Sequence, residues 1–117
     1  MNKRHDYKKG LWAERIAIVF LMLKGYKILK NRYKTPVGEV DIVAKKRNVF
    51  VFVEVKRRPN YEQGILSISS ASQKRIMRAA EHYLMMEKLG NSMDMRFDAI
   101  IISPPFSIKH LVHAWTS

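Results

Sequence analysis

The chain reads as an α/β protein, and three stretches of it carry that reading. Val49-Phe50-Val51-Phe52-Val53 is apolar on both faces, which marks a strand inside a sheet covered on both sides. Residues 11 to 24 and 71 to 89 have the composition and periodicity of helices before and after it. Shorter strand patterns flank the central one, so the predicted order is helix, three strands, helix, two short strands.

The first helix, residues 11 to 24, carries apolar side chains all round, as a buried helix does. Lys24-Gly25 closes it, glycine supplying the left-handed cap. Tyr26 to Tyr33 alternates as an edge strand with outward lysines. Residues 39 to 57 form a hairpin, and if Arg47-Asn48 is its two-residue turn, facing positions sum to 95. Asp41 then sits opposite Glu54. Lys56 shares the face of Glu54, because side chains alternate with period two. A three-residue turn would break that alignment.

Residues 59 to 69, with Gly64, Ser67 and Ser69, are expected as a loop able to cover a substrate. Ser70-Ala71-Ser72-Gln73 has capping-box spacing and opens the second helix, which Gly90-Asn91 stops. Phe97 to Ile102 is a short apolar strand ended by Pro104-Pro105, and Leu111 to Trp115 adds another. Trp12 and Trp115 are expected as core anchors. Residues 1–9 read as a basic N-terminal arm and 10–117 as a single domain.

At 117 residues and 47% apolar content, one real core is expected. The chain has no cysteine, which excludes disulfides and thiolate zinc sites and fits a reducing cytoplasm. Its longest apolar run, Ile16 to Leu23, is too short to span a membrane. The opening residues lack the features of a signal peptide. A formal charge of +12 and a pI near 10.2 point to a polyanionic partner, and the cations recur along the chain as a long phosphate backbone requires. A solubilising surface, an anionic membrane or an acidic protein partner would use the same charge.

An ionised Glu54 at the end of an apolar strand is costly unless paired. Like charges facing each other across a sheet repel, so Asp41 beside Glu54 suggests a divalent cation between them. Hard carboxylate oxygens hold Mg²⁺, or Mn²⁺ in its place, and such a cation serves phosphodiester hydrolysis by activating water and stabilising charge at phosphorus. Lys56 is placed to contact the phosphate or orient the water. The alternative is a structural ion pair of Glu54 with Lys56 or Arg57. Glu14, among apolar helical neighbours, is either a further ligand or an N-terminal acid favoured by the helix dipole and paired with Arg15 or Lys9. Glu39 reads as an exposed strand-end residue. Lys74, Arg78 and His82 line one helix face, where Lys74 and Arg78, with Arg57, are candidate phosphate contacts. His5, His110 and His113 lack metal-ligand spacing and read as surface or packing residues.

Gly10-Leu-Trp-Ala-Glu14, Gly25-Tyr26, Gly38-Glu-Val-Asp-Ile-Val-Ala44, Val51-Phe-Val-Glu-Val-Lys56, the Lys74-Arg75 helix and Arg96-Phe97-Asp98 resemble, in order, the YraN-like family. That family is a widespread bacterial group related to archaeal Holliday junction resolvases and restriction endonucleases. The resemblance covers about residues 8 to 103. It implies a restriction-endonuclease-like core, a mixed sheet of about five strands flanked by two main helices. It also implies a metal constellation of Asp41, Glu54 and Lys56, with Glu14 as the helix carboxylate. Val40 stands where the broader superfamily has proline, and Ala13 where glycine is expected before Glu14; neither change removes a ligand. Asp98 matches the family pattern and is expected in a salt bridge with Arg96.

The expected function is thus a Mg²⁺-dependent nuclease acting on structured or branched DNA, more than on RNA, with no membrane association and as a homodimer suited to paired cuts. The alternatives are a nucleic-acid-binding module that keeps the fold without chemistry, and a protein-interaction domain.

Overall fold

The computed structural model describes residues 3–89 and 94–116, with side chains from Gly10 onward in the first helix. The order is α1 (Lys3–Leu23), β1 (Lys27–Thr35), β2 (Gly38–Lys46), β3 (Val49–Arg57), α2 (Tyr61–Leu66), α3 (Ser70–Met86), β4 (Asp94–Ser103) and β5 (Ser107–Trp115). The five strands form one sheet in sequence order. Neighbours are antiparallel except β3 and β4, so the sheet is mixed. This α/β architecture of five strands and three helices is compatible with a restriction-endonuclease-like core.

The central strand β3 sits between two apolar layers, as its unbroken run requires. Val51, Val53 and Val55 pack with Ile42, Ala44 and Ile100 under Ala13, Ala17 and Leu21 of α1. Phe50 and Phe52 face the opposite layer with Val43, Phe97 and Trp115, beneath Ile76, Ala80 and Tyr83 of α3. Trp115 stacks on Phe97 at 5.6 Å between ring centroids, the anchor expected of it. The hairpin register is the one the sequence implies: Ile42 faces Val53, Val43 faces Phe52 and Lys46 faces Val49. Arg47 enters the turn in the left-handed region, at φ 57.

Helix α1 ends as the sequence predicts. Gly25 has φ 91, its N–H donates to the Met22 carbonyl and the Tyr26 N–H to the Leu21 carbonyl, both at 3.0 Å, which is a complete Schellman closure. The helix starts earlier than expected, at Lys3 rather than at residue 11; lysine and arginine are good helix formers, and no proline intervenes. One expectation about α1 is corrected: it is not buried all round, since the sheet covers only the Ala13, Ala17, Leu21 side. Trp12, expected in the core, is 67% exposed.

The segment 59–69 is not an irregular loop. Asn60 caps α2 by accepting the Gln63 N–H at 2.9 Å. Gly64 is there for packing, since a Cβ on it would lie 2.3 Å from Cγ2 of Ile101 on β4. The cap of α3 is Ser69, which accepts the Ser72 N–H at 3.1 Å, one residue before the Ser70 that the capping-box spacing selected. The predicted stop at Gly90-Asn91 and the side chain of His5 lie outside the described residues. Gly38 permits a close approach of α3: a Cβ there would stand 2.0 Å from the carbonyl oxygen of Arg75. That approach brings Arg75 to 3.2 Å from Glu39.

Candidate active site

The β2–β3 ladder runs from the turn to the Ile42–Val53 pair, while β2 continues along β1 to Gly38. Beyond Ile42 the two strands therefore part, and the opening lies at the carboxyl ends of the parallel pair β3 and β4. In open α/β sheets a gap of this kind is where ligands are held. Val55 would have continued the ladder; its N–H instead donates to Oδ2 of Asp41 at 2.7 Å. The split leaves a cavity of about 490 Å³ lined by Glu14, Arg32, Glu39, Asp41, Glu54, Lys56, Arg57 and Arg58, with Gly10, Ala13 and Val55.

Three carboxyl groups meet there. Asp41 lies within hydrogen-bonding reach of both Glu14 and Glu54. Burial, then the Asp41 carboxylate, pushes Glu54 up to about 9, with Lys56 opposing. The same two causes raise Glu14 to about 7 against the pull of Arg32. Like charges taken out of water together cannot all ionise cheaply, so burial and mutual repulsion favour the protonated forms of Glu14 and Glu54. Lys56 Nζ stands 3.9 Å from Oε2 of Glu54, on the face that alternation assigns it. Arg32 Nε is 3.0 Å from Oε2 of Glu14, yet no hydrogen-bond donor is aligned on that buried oxygen.

The donor set fits a hard cation. Among the described residues no group of three or more His, Cys, Asp or Glu is arranged to hold a metal ion by itself. Mg²⁺ does not require that: it keeps several waters and binds through one or two carboxylates together with substrate phosphate oxygens. Asp41 and Glu54 are the pair that could hold it, and the buried Glu14 carboxylate, ion-paired with Arg32, borders them.

The sequence-selected residues Glu14, Asp41, Glu54, Lys56 and Arg57 thus line one cavity. Lys74 and Arg78 do not: both are exposed on α3, and His82 of the same stripe bonds Tyr33 Oη at 2.9 Å. Glu39 is exposed, as expected, and paired with Arg75. Of the two sequence readings of Glu14, the further carboxylate of the site is the one whose side chain lines the cavity; the pairing with Arg15 or Lys9 gives way to Arg32, which the sequence did not single out and which reaches the site from β1 with φ 55. Sequence reasoning also missed Arg58, whose N–H donates to the Ile102 carbonyl at 3.1 Å. The only local sign of Arg32 is a cation at an inward-alternating position.

A second polar cluster lies apart from the cavity. Asp98, fully buried, accepts from Arg96 Nε and Nη2, each at 2.8 Å, from the His113 N–H at 3.0 Å and from His110 Nε2 at 2.7 Å. Burial would raise its carboxyl, but the bonds from His110, Arg96 and His113 outweigh it and hold it at about 2. Lys24 Nζ lies 2.6 Å from His110 Nδ1. An ammonium only donates, so Nδ1 accepts and Nε2 carries the proton to Asp98. The Arg96 salt bridge was anticipated; the role of His110 was not.

No helix among the described residues is long and apolar enough to cross a membrane. Residues 13–102 match the uncharacterised protein family UPF0102. Over 109 residues, 93% of this chain, it is 41% identical to a UPF0102 protein of Rhodopseudomonas palustris (strain BisA53), covering 84% of that relative. It is 40% identical over the same length to one from Nitrobacter winogradskyi, covering 92% of it, and 39% identical to UPF0102 protein bll0669 of Bradyrhizobium diazoefficiens, covering 82%. The chain belongs to the UPF0102 family, the YraN-like group its motifs resemble.

Proposed function

We propose that this protein is a metal-dependent nuclease that hydrolyses phosphodiester bonds in structured or branched DNA. The observation that carries the reading is the meeting of Asp41, Glu54 and Glu14 beside Lys56 in a cleft rimmed by Arg32, Arg57 and Arg58. An acidic centre inside a +12 chain repels phosphate unless a cation bridges them, whereas the rim attracts it.

In this reading Asp41 and Glu54 hold Mg²⁺, or Mn²⁺, which when bound supplies charge stabilisation at phosphorus and a more acidic water. The Val55 N–H fixes the rotamer of Asp41. Lys56, a compact cation on a long stem, orients the attacking water and the scissile phosphate. Glu14 acts on Asp41, with Arg32 beside it. Arg57 and Arg58 hold the backbone by contacts that carry little sequence information.

Purified protein with Mg²⁺ is to be tested on duplex, flap, fork and four-way-junction DNA and on matching RNA. Metal-dependent cleavage that disappears in Asp41→Asn and Glu54→Gln supports the reading. Absence of cleavage on every substrate removes it.

A second reading, a binding module without chemistry, draws on the lack of a three-ligand metal group among the described residues. It predicts that the double variant Asp41→Ala, Glu54→Ala binds DNA as well as the native protein or better, having lost two negative charges near phosphate.

A further inference from the structure

Helix α1 shows two apolar sides, and only one is covered. Ala13, Ala17 and Leu21 meet the sheet. On the other side Trp12 is 67% exposed, Val19 56%, Met22 59% and Leu23 83%, while Ile16 is half-buried beside them. Counting roughly 150 to 250 Å² for a large side chain, the exposed part comes to about 500 Å² of apolar surface. A contiguous patch of about this size is at the upper end of what a monomer exposes and is often functional.

The patch is a groove of about 450 Å³ running along the helix, with Ile108 of β5 closing one side. Trp12, Ile16, Val19 and Leu23 are spaced 4, 3 and 4 residues apart, which is the seam that another helix fits. The spacing is also symmetric about the point between Ala17 and Ile18. Two copies packed antiparallel across a two-fold axis would set Trp12 against Leu23 and Ile16 against Val19, each pair occurring twice, as an isologous contact requires. The same register sets Arg15, the one charged residue lining the groove, beside Phe20, whose ring already carries Lys24 Nζ at 5.1 Å. Opposed helix dipoles add to the fit.

We infer that the groove along α1 is the homodimer interface of this protein, formed by antiparallel packing of α1 on α1 about a two-fold axis at residues 17 and 18. Burying the patch on both copies removes on the order of 1,000 Å² from water, the lower bound of a specific interface. A lipid surface fits less well: a concave groove receives a side-chain ridge rather than a plane, and the face opposite the groove is packed on the sheet and carries Glu14. Glu14 points to the cavity from the opposite side of α1, so dimerisation would leave both clefts open.

Sedimentation velocity of the full chain tests this, with Leu23→Glu, an exposed position, as the disrupting variant. The native protein should sediment as a dimer at micromolar concentration, and Leu23→Glu should raise the dissociation constant at least tenfold while keeping the native circular dichroism spectrum. The chain has no cysteine, so a second measurement fixes the geometry independently. Mixed Ile16→Cys and Val19→Cys proteins should form an oxidised heterodimer much faster than either forms a homodimer. A native protein that stays monomeric at 100 μM, a Leu23→Glu protein that still dimerises, or equal cross-linking of like and unlike pairs would each overturn the proposal. So would monomeric protein that floats with anionic phosphatidylglycerol vesicles through Leu23, which would assign the face to lipid. DNA cleavage plays no part in these readouts.

Discussion

The carboxylate of Asp41 accepts the backbone N–H of Val55 at 2.7 Å, taking the place of a strand partner where β2 and β3 separate. One side chain therefore both ends the ladder and stands at the centre of the carboxyl cluster. The two roles separate on substitution. Asp41→Asn keeps an acceptor for Val55 and also relieves the repulsion with Glu14 and Glu54, so it should be at least as stable as the native protein in metal-free buffer while losing metal-dependent cleavage by at least 10²-fold. Asp41→Ala leaves the Val55 N–H unsatisfied, a cost of about 1 to 3 kcal/mol, partly offset by relief of repulsion with Glu14 and Glu54. Urea unfolding beside a cleavage assay distinguishes them; equal cleavage by native and Asn proteins would remove Asp41 from the chemistry.

Glu54 should be a site where the protein gives up stability. Burial and the neighbouring Asp41 hold its carboxyl at about 9, above its value in the unfolded chain. The contribution of such a group is fully present below pH 4.5 and is lost as pH rises through about 9. In metal-free buffer Glu54→Gln should therefore gain on the native protein between pH 5 and pH 9, reaching about 1 to 3 kcal/mol at the upper end. Urea midpoints at pH 5 and pH 8.5 in chelator read this out, and a gain that shrinks with pH would contradict it.

Lys56 should matter to rate more than to binding. Lys56→Ala is expected to lower the single-turnover cleavage rate 10²-fold or more, in the range found for loss of one preorganised donor, with DNA affinity changed less than threefold. Single-turnover kinetics at saturating protein, paired with fluorescence anisotropy, make the comparison. A large affinity loss with unchanged rate would place Lys56 among the backbone contacts.

The cleft arginines make the opposite prediction. Arg57→Ala and Arg58→Ala should each weaken binding similarly across DNA sequences and reduce the slope of log affinity against log salt by about 1. Lys74→Ala and Arg78→Ala, outside the cavity, should leave the cleavage rate at saturation unchanged. A salt slope near zero for the native protein would contradict phosphate contact altogether.

Asp98 should be a stability determinant in acid. Its carboxyl, at about 2 in the fold against 3.8 ordinarily, contributes stability that is present above pH 4 and lost as pH falls towards 2, on the order of 2 kcal/mol. Asp98→Asn leaves Arg96 without its counter-charge and weakens the acceptor for His110 Nε2, which should cost about 3 kcal/mol at pH 7, with that part of the acid slope missing. Thermal unfolding between pH 2.5 and pH 7 measures both effects.

The sequence by itself determined what depends on near neighbours. Period-two alternation and a two-residue turn set the hairpin register from Ile42–Val53 to the turn and the place of Lys56 on the face of Glu54, whereas the expected opposition of Asp41 to Glu54 falls just past the point where the ladder ends. The apolar run of β3 announced a sheet covered on both faces, and Gly25 announced the end of α1. Only the tertiary structure decided what depends on packing between distant segments. It brought Glu14 to Asp41 and chose Arg32, eighteen positions along the chain from Glu14, over the adjacent Arg15, because helix rotation on the sheet sets which side chains meet. It turned residues 61–66 into a helix, because Gly64 lets that segment seat on Ile101. It gathered Arg96, His110 and the His113 N–H around Asp98, and it left Trp12 outside the core. A helix whose apolar side chains point to every side does not declare which of them is covered, so hydrophobicity alone could not tell a buried side from one awaiting a partner.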